Sequence, residues 1–332
     1  MTTRRVIDPA GALFGLGLPL LSALAVLALT VAWQPRLPDR IATHWTGLTA
    51  DSFGSAMSSA WTMALLIVLI GGGCCAIAAL AQAQLIMRRY MLVLGLGVTG
   101  LMLTVHVAGL AGQLDLADPA QAPFPMWSIG AGMFAGVAVG WVGAALLRDY
   151  RERKPATAPP DPELPRGRVE TPIVEQVGTG PRTTVVLVLI VMVPALLVCA
   201  ATGSWWMPAI VAPLGFLVLS LLRFLVIVDE RGLRVRNLGT TAVAYDLDEI
   251  VSAKVTQTRP FQDWGGWGLR VKGRGRYGLV TNTGPAVVVT TASGHEFTVT
   301  TDRAEEMAGA LNTLADRRSA ASTGGLPVPE NE

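Results

Sequence analysis

Residues 37–55 read LPDRIATHWTGLTADSFGS, a stretch dense in Pro, His, Trp, Asp and Gly between two apolar runs, 11–31 and 61–80. About 20 largely apolar residues suffice to cross the hydrocarbon core of a bilayer. A polar segment between two such runs is therefore a loop returned to water between two membrane spans. Its immediate partners, in this reading, are the spans on either side.

Working outward, apolar runs recur at 11–33, 60–82, 90–112, 126–147, 183–202 and 205–222. The last two are parted by Gly203 and Ser204, beside Trp205 and Trp206. Two indoles there fit a tight turn at the membrane–water interface. One long helix over 183–222 would overshoot the bilayer, and Pro194, Pro208 and Pro213 interrupt it. The expected architecture is six transmembrane helices, four plus two. The run at 11–31 follows Arg4 and Arg5 but exceeds a signal-peptide core of roughly 7–15 residues, so it reads as an uncleaved anchor.

Composition agrees with a membrane part joined to a polar module. The chain has 332 residues, 51% hydrophobic and 15% charged, against about 25% charged in an ordinary soluble domain. The net charge of +2 is too small to argue for nucleic acid. Cys74, Cys75 and Cys199 all lie in apolar runs and read as buried free thiols. Basic residues mark alternate connections: Arg4 and Arg5, Arg88 and Arg89, Arg148 to Lys154, then Arg223 and Arg231. The connection holding Asp115 and Asp118 has none. By the positive-inside rule both termini are expected to be cytoplasmic and 37–55 outside. Arg36 and Arg40 run against that scheme and are balanced by Asp39 and Asp51.

Gly132, Gly136 and Gly140 share one face of the fourth span, and Gly11 with Gly15 repeats the spacing in the first. Small residues at four-residue intervals let helices approach closely in lipid. Seven prolines between 155 and 181 oppose helix and interior strand. Residues 150–182 are therefore expected to be an extended cytoplasmic linker.

Short alternating runs follow at 225–228, 233–236, 242–245, 250–255, 268–272, 277–280, 285–290 and 296–299, reading as strands. The period then switches to helical over Ala304, Met307, Ala308, Leu311 and Leu314, with Asp302 and Glu305 as a capping-box-like start. The expected domains are a four-helix module (1–149, loop 34–59), the linker (150–182), a helical hairpin (183–223), a cytoplasmic β-barrel capped by one helix (224–317) and a disordered tail (318–332).

Two local patterns resemble known families. Leu37-Pro38, Ile41, His44-Trp45, Gly47, Asp51 and Phe53-Gly54-Ser55 resemble the module that begins SdpI-like immunity proteins and many bacterial membrane proteins, where the loop also follows the first span. Ala42 stands where a second Pro is usual, Thr46 where Asn is usual and Ala56 where Lys is common. Further on, Asp229 to Leu233, Tyr245 to Ile250, Gly266-Trp267-Gly268 and Gly294 to Phe297 resemble bacterial PH-like domains of membrane proteins. That resemblance implies a small bent barrel closed by a helix, used as an interaction module.

The candidate recognition residues are Pro38, His44, Trp45, Gly47, Asp51 and Gly54. His44-Trp45 admits two readings: contact with a ligand, metal or peptide, or a structural loop with Trp45 in the interfacial belt. One His with two Asp is thin for a metal, which usually takes three or four ligands. His106, in the third span, lacks the acidic partner a proton relay would need. Trp264, Trp267, Lys272, Arg274 and Arg276 are candidate inner-leaflet contacts, because anionic lipid attracts basic residues. The glycines between 265 and 278 lack the Gly-Lys-Ser/Thr of a phosphate loop. No catalytic constellation and no cofactor site is read. Expected partners are the lipid bilayer and another membrane or cytoplasmic protein. The expected function is a non-enzymatic envelope sensor or toxin-immunity-like protein of the bacterial plasma membrane; the alternatives are a transporter or channel subunit, or an envelope scaffold.

Overall fold

The computed structural model describes residues 5–47, 49–203, 211, 215, 219, 222–237, 240–273 and 275–323. They divide into two compact units, Met1–Arg151 with Leu187–Phe216, and Glu152–Val186 with Leu217–Glu332.

Among the described residues, 5 helices are long and apolar enough to cross a membrane: α1 (Pro9–Arg36), α2 (Ala56–Ala79), α3 (Leu85–Ala111), α4 (Met126–Leu146), and the segment Thr184–Ala201 within α5 (Pro181–Thr202). The sixth expected span and the Trp205-Trp206 turn lie largely outside the described residues. Leu20, Leu24, Leu65, Leu69, Phe134 and Val142 are exposed on α1, α2 and α4. Large apolar side chains turned outward along whole helices fit a hydrocarbon solvent, with backbone groups bonded within each helix.

The first unit is closed by small residues. Along α3 and α4, a Cβ at Gly136 would land on the Leu96 carbonyl, and one at Gly140 would lie 2.8 Å from Val93 Cα. Thr104 Oγ1 on α3 donates across the seam to Ser128 O at 2.9 Å. Gly11 and Gly15 seat α1 on the backbone of Ala78 and Cys75 in the same way. The four-residue glycine spacing is thus close helix packing, as its small-residue pattern predicts.

At one end of this unit the sequence expectation needs correction. Arg88 and Arg89 were expected in a loop before a span at 90–112. Instead α3 begins at Leu85, so both fall in its first turns. Arg88 is fully buried. Its guanidinium donates to Ala78 O from Nε at 3.0 Å and Nη2 at 2.9 Å, to Arg148 O from Nη1 at 2.9 Å, and to Asp8 Oδ2. Asp8 caps the start of α1 through Ala10 N and Gly11 N. Asp8 N donates to Ala79 O at 2.9 Å and Ala81 N to Val6 O at 3.0 Å, binding the amino-terminal strap to the end of α2. Burial alone would raise the Asp8 carboxyl. Hydrogen bonds from Arg88, Gly11 and Arg148 outweigh it and hold the group below the usual carboxylate range.

In the second unit each of the eight expected strand segments forms: β4 (Arg223–Asp229), β5 (Gly232–Asn237), β6 (Thr240–Asp246), β7 (Ile250–Thr258), β8 (Gly268–Gly273), β9 (Arg276–Val280), β10 (Gly284–Thr291) and β11 (Glu296–Thr300). They are preceded by β3 (Ile173–Gly178), which lies inside the expected linker and pairs antiparallel with β4 from Ile173↔Val228 to Gly178↔Arg223. The prolines that argued against a strand flank this segment and leave it free to donate. Other linker residues are also held: Arg166 pairs with Asp316 at 2.6 Å, and Pro165 O accepts from Asn312 Nδ2 at 2.9 Å.

The strands do not close into a barrel. They make a four-stranded sheet, β3-β4-β5-β6, and a five-stranded sheet, β7-β10-β11-β9-β8. The turn Leu247–Glu249, where Asp246 N donates to Glu249 Oε1 at 2.8 Å, carries the chain from one to the other. The closing helix does form, as α7 (Ala304–Thr323). Its buried residues Ala304, Met307, Ala308, Leu311 and Leu314 are those of the helical period. Asn312 on the same helix bonds both backbone groups of Ala253 in β7, accepting at 2.9 Å and donating at 2.8 Å. Thr301 Oγ1 accepts from Arg303 N at 3.0 Å at the helix start. The helix runs past Ser319, where a disordered tail was expected; residues 324–332 lie outside the described residues.

Candidate functional site

The opening stretch is not an irregular loop. Between α1 and α2 it folds as an antiparallel hairpin, β1 (Ile41–Thr46) and β2 (Thr49–Gly54), closed by the pair Thr46↔Thr49. Gly47 takes φ +62°, the left-handed backbone that a two-residue hairpin turn requires. Leu48, beside it, is outside the described residues. Pro38 lies ahead of β1, after the 3₁₀ turn Gln34–Arg36, and is half-buried. Gly54 pairs with Ile41 at the base of the hairpin.

Strict alternation would put every second side chain on one face. The register breaks it twice: Ala42 pairs with Phe53, His44 with Ser52 and Trp45 with Ala50. Thr43 and Asp51 are the extra residues, and such bulges re-aim side chains. Asp51 turns its carboxylate to His44 Nδ1 at 2.6 Å and accepts from the Thr46 hydroxyl. Those bonds, Thr46 first and then His44, hold the Asp51 carboxyl below its ordinary range. The His44–Asp51–Thr46 cluster is exposed.

The other face is anchored. Ala42 N donates to Gln113 Oε1 at 2.6 Å, and Gln113 Nε2 donates to Ala42 O at 3.2 Å and to Gly109 O at 3.0 Å. A single amide at the end of α3 thus stands in for a third strand. Trp45 Nε1 donates to Ala122 O at 2.9 Å, and its ring lies 5.3 Å from that of Phe124. Ala42, Ala50 and Ala122 form a small core with Trp45, Phe53 and Leu116. Arg36 pairs with Asp115 across the same connection, and Asp115 N donates to Arg36 O at 2.7 Å. The side of Trp45 is therefore structural, and the His44 side is free to meet solvent.

Below the hairpin is a cavity of about 70 Å³, lined among others by Ile41, Trp45, Met63, His106 and Gln113. That is room for a water molecule or two. His106 is buried, with Nε2 3.3 Å from Thr30 Oγ1. The Thr30 hydroxyl already donates to Val26 O at 2.7 Å, so it accepts from His106 Nε2–H. Among the described residues no group of three or more His, Cys, Asp or Glu could hold a metal ion.

Of the second candidate set, Trp264 is half-buried over Gly278, and Trp267 is exposed. Lys272 Nζ sits 5.8 Å from the centre of the Trp264 ring. Arg276 lies at the start of β9, and Arg274 falls outside the described residues. Residue reading missed Gln113, Asp115 and Ala122 as partners of the hairpin. Gln113, a polar residue at the aqueous end of a span, was the available signal.

Apolar helices of span length with lipid-facing side chains, joined by a docked polar hairpin, define an integral membrane protein. Residues 21–68 match a family model described as a domain of unknown function (DUF1648). The match runs from within α1 through the whole hairpin and into α2, so the chain carries a DUF1648 domain in its N-terminal membrane region. No curated protein and no solved structure matches the chain.

Proposed function

We propose that the chain is a non-enzymatic envelope sensor or immunity-like protein whose recognition element is the outer face of the β1–β2 hairpin. One observation carries this reading: the hairpin is clamped from beneath by Gln113 and Trp45 while His44, Thr46 and Asp51 form a bonded polar cluster on its open side. Such a cluster is pre-organised, so little side-chain entropy is lost on contact with a polar ligand. The Lys and Arg pattern of the remaining connections supports this face lying outside a bacterial plasma membrane, with both termini in the cytoplasm. The C-terminal sheets and α7 are then a cytoplasmic PH-like interaction module. A transport role has less to support it. Thr30, Thr99 and Ser128 each donate to a carbonyl of their own helix turn or its approach, and His106 is bonded to Thr30.

Two experiments test the reading. A periplasm-active reporter fused after Ser55 is expected to be active, and one fused after Lys154 inactive. In a deletion strain challenged with envelope-active peptides and toxins, the wild-type gene is expected to restore resistance. The variant H44A/D51A, present in membranes at the wild-type level, is expected not to. Full restoration by that variant would remove the hairpin from the function.

A further inference from the structure

The second unit presents an aromatic edge that the hairpin reading does not use. A short helix, α6 (Pro260–Trp264), ends at Gly265 (φ +70°), followed by Gly266 (φ +140°). This reversal brings Trp267 back onto Phe261, ring centres 4.7 Å apart at 77°. The pair is not core: Phe261 is 61% and Trp267 58% exposed, and Val271 on β8 is 49% exposed. Trp264, by contrast, lies over Gly278 of β9, where a Cβ would come within 2.9 Å of its ring. β8 is an edge strand of the five-stranded sheet, so Val271 and Lys272 stand at a free margin.

Charge is one-sided here. From 259 to 276 the sequence holds Arg259, Arg270, Lys272, Arg274 and Arg276 against Asp263 alone. Asp263 already accepts from Arg259 N at 2.6 Å. Glu296, paired in register with Arg276, is the acid on the neighbouring strand. Arg270 Nε is buried without a hydrogen-bond partner.

We propose that this edge docks on an anionic lipid surface, with Phe261 and Trp267 entering the headgroup region and Arg259, Lys272 and Arg276 meeting lipid phosphates. An indole, apolar with one polar N–H, settles at the membrane–water boundary, and Phe261 adds apolar surface against it. Basic residues close to an anionic leaflet are drawn to it, and salt screens that attraction. The unit is tethered: β3 ends at Gly178, just ahead of the span Thr184–Ala201. A short tether keeps the local concentration of a bilayer surface high without adding a contact. Two exposed rings in a stretch whose charge is almost all basic, rather than a broad apolar face, match lipid headgroups better than a protein surface.

The test uses the full chain in proteoliposomes, with Cys74, Cys75 and Cys199 replaced by Ala and an environment-sensitive fluorophore on Q262C. This leaves Phe261 and Trp267 intact. A second label at V251C, exposed at the far end of β7 from Arg259, is the control. Brominated acyl chains are expected to quench the label at 262 several-fold more in phosphatidylglycerol-containing vesicles than in phosphatidylcholine alone. The label at 251 should be unaffected. W267S and K272E/R276E, with unchanged circular dichroism, are expected to abolish the difference, as is high salt. Equal quenching at 262 and 251 would overturn the proposal, as would equal quenching in neutral and anionic vesicles. A label at 262 that is shielded from water but not quenched by lipid would point to a protein partner and overturn it too.

Discussion

Replacing Arg88 by Met puts the buried pair at the start of α3 to the test. Methionine keeps the apolar stem and removes every donor. Ala78 O loses bonds of 3.0 and 2.9 Å, Arg148 O one of 2.9 Å, and Asp8 its charged partner. Asp8, 1% exposed, would keep only Ala10 N, Gly11 N and Arg148 N as donors. A carboxylate stranded there can escape by taking a proton. At pH 7 this costs about 4 kcal/mol for a group of unperturbed pKa about 3.9, which caps the charge penalty. The orphaned Ala78 carbonyl, buried, adds about 1–3 kcal/mol, whereas Arg148 is exposed and its carbonyl can turn to water. The sum, about 5–7 kcal/mol, is somewhat above the 3–5 kcal/mol usual for breaking a buried pair. In D8N/R88M the stranded charge is gone, so the double variant should recover about 4 kcal/mol of the loss. The assay is unfolding of the full chain in mixed micelles with SDS, followed by far-UV circular dichroism. The pH dependence has a definite sign. In the wild type the Asp8 pKa is depressed, so its contribution is present above about pH 3.9 and is lost as pH falls through the folded value. In R88M the folded pKa is raised instead, so the penalty is largest at neutral pH and shrinks on acidification. An R88M midpoint equal to wild type at pH 7, or a gap that widens with acid, would refute the reasoning.

Three further outcomes are expected. Q113L leaves Ala42 N–H and C=O buried without partners, at about 1–3 kcal/mol each, so hydrogen exchange in β1 and β2 should rise at least about tenfold while α3 stays protected; unchanged exchange in the hairpin would show that Gln113 does not anchor it. G136V forces a side chain onto the Leu96 backbone and should lower the midpoint of thermal unfolding in detergent, with an overpacking cost of about 1–3 kcal/mol, whereas G109A, with open space at its Cβ, should not. N312L removes two bonds to Ala253 and one to Pro165 and should destabilise the second unit by about 2–4 kcal/mol; equal resistance to proteolysis in N312L and wild type would count against that role.

Five of the six expected spans, the eight strand segments and the buried face of α7 were legible because each is a local run or period of apolar residues, the periods set by 3.6 or 2 residues per repeat. The hairpin's polarity was legible, but its strands were not. Thr43 and Asp51 interrupt the alternation at two bulges, and its third hydrogen-bonding neighbour is a side chain 71 residues away. The strand β3 was hidden by prolines on both sides of it, though none lies between Ile173 and Gly178.

From its own composition the sequence determined that polar residues 37–55 lie between two membrane spans, since apolar length and polarity are properties of the chain alone. Tertiary structure decided what the stretch became: Gln113 and Trp45 fasten one face, and the bulge at Asp51 turns a carboxylate to His44 on the other. It decided likewise that Arg88 is an internal cation rather than a loop charge. Whether a polar group meets water or a buried partner depends on which distant segments pack over it, and no local period records that.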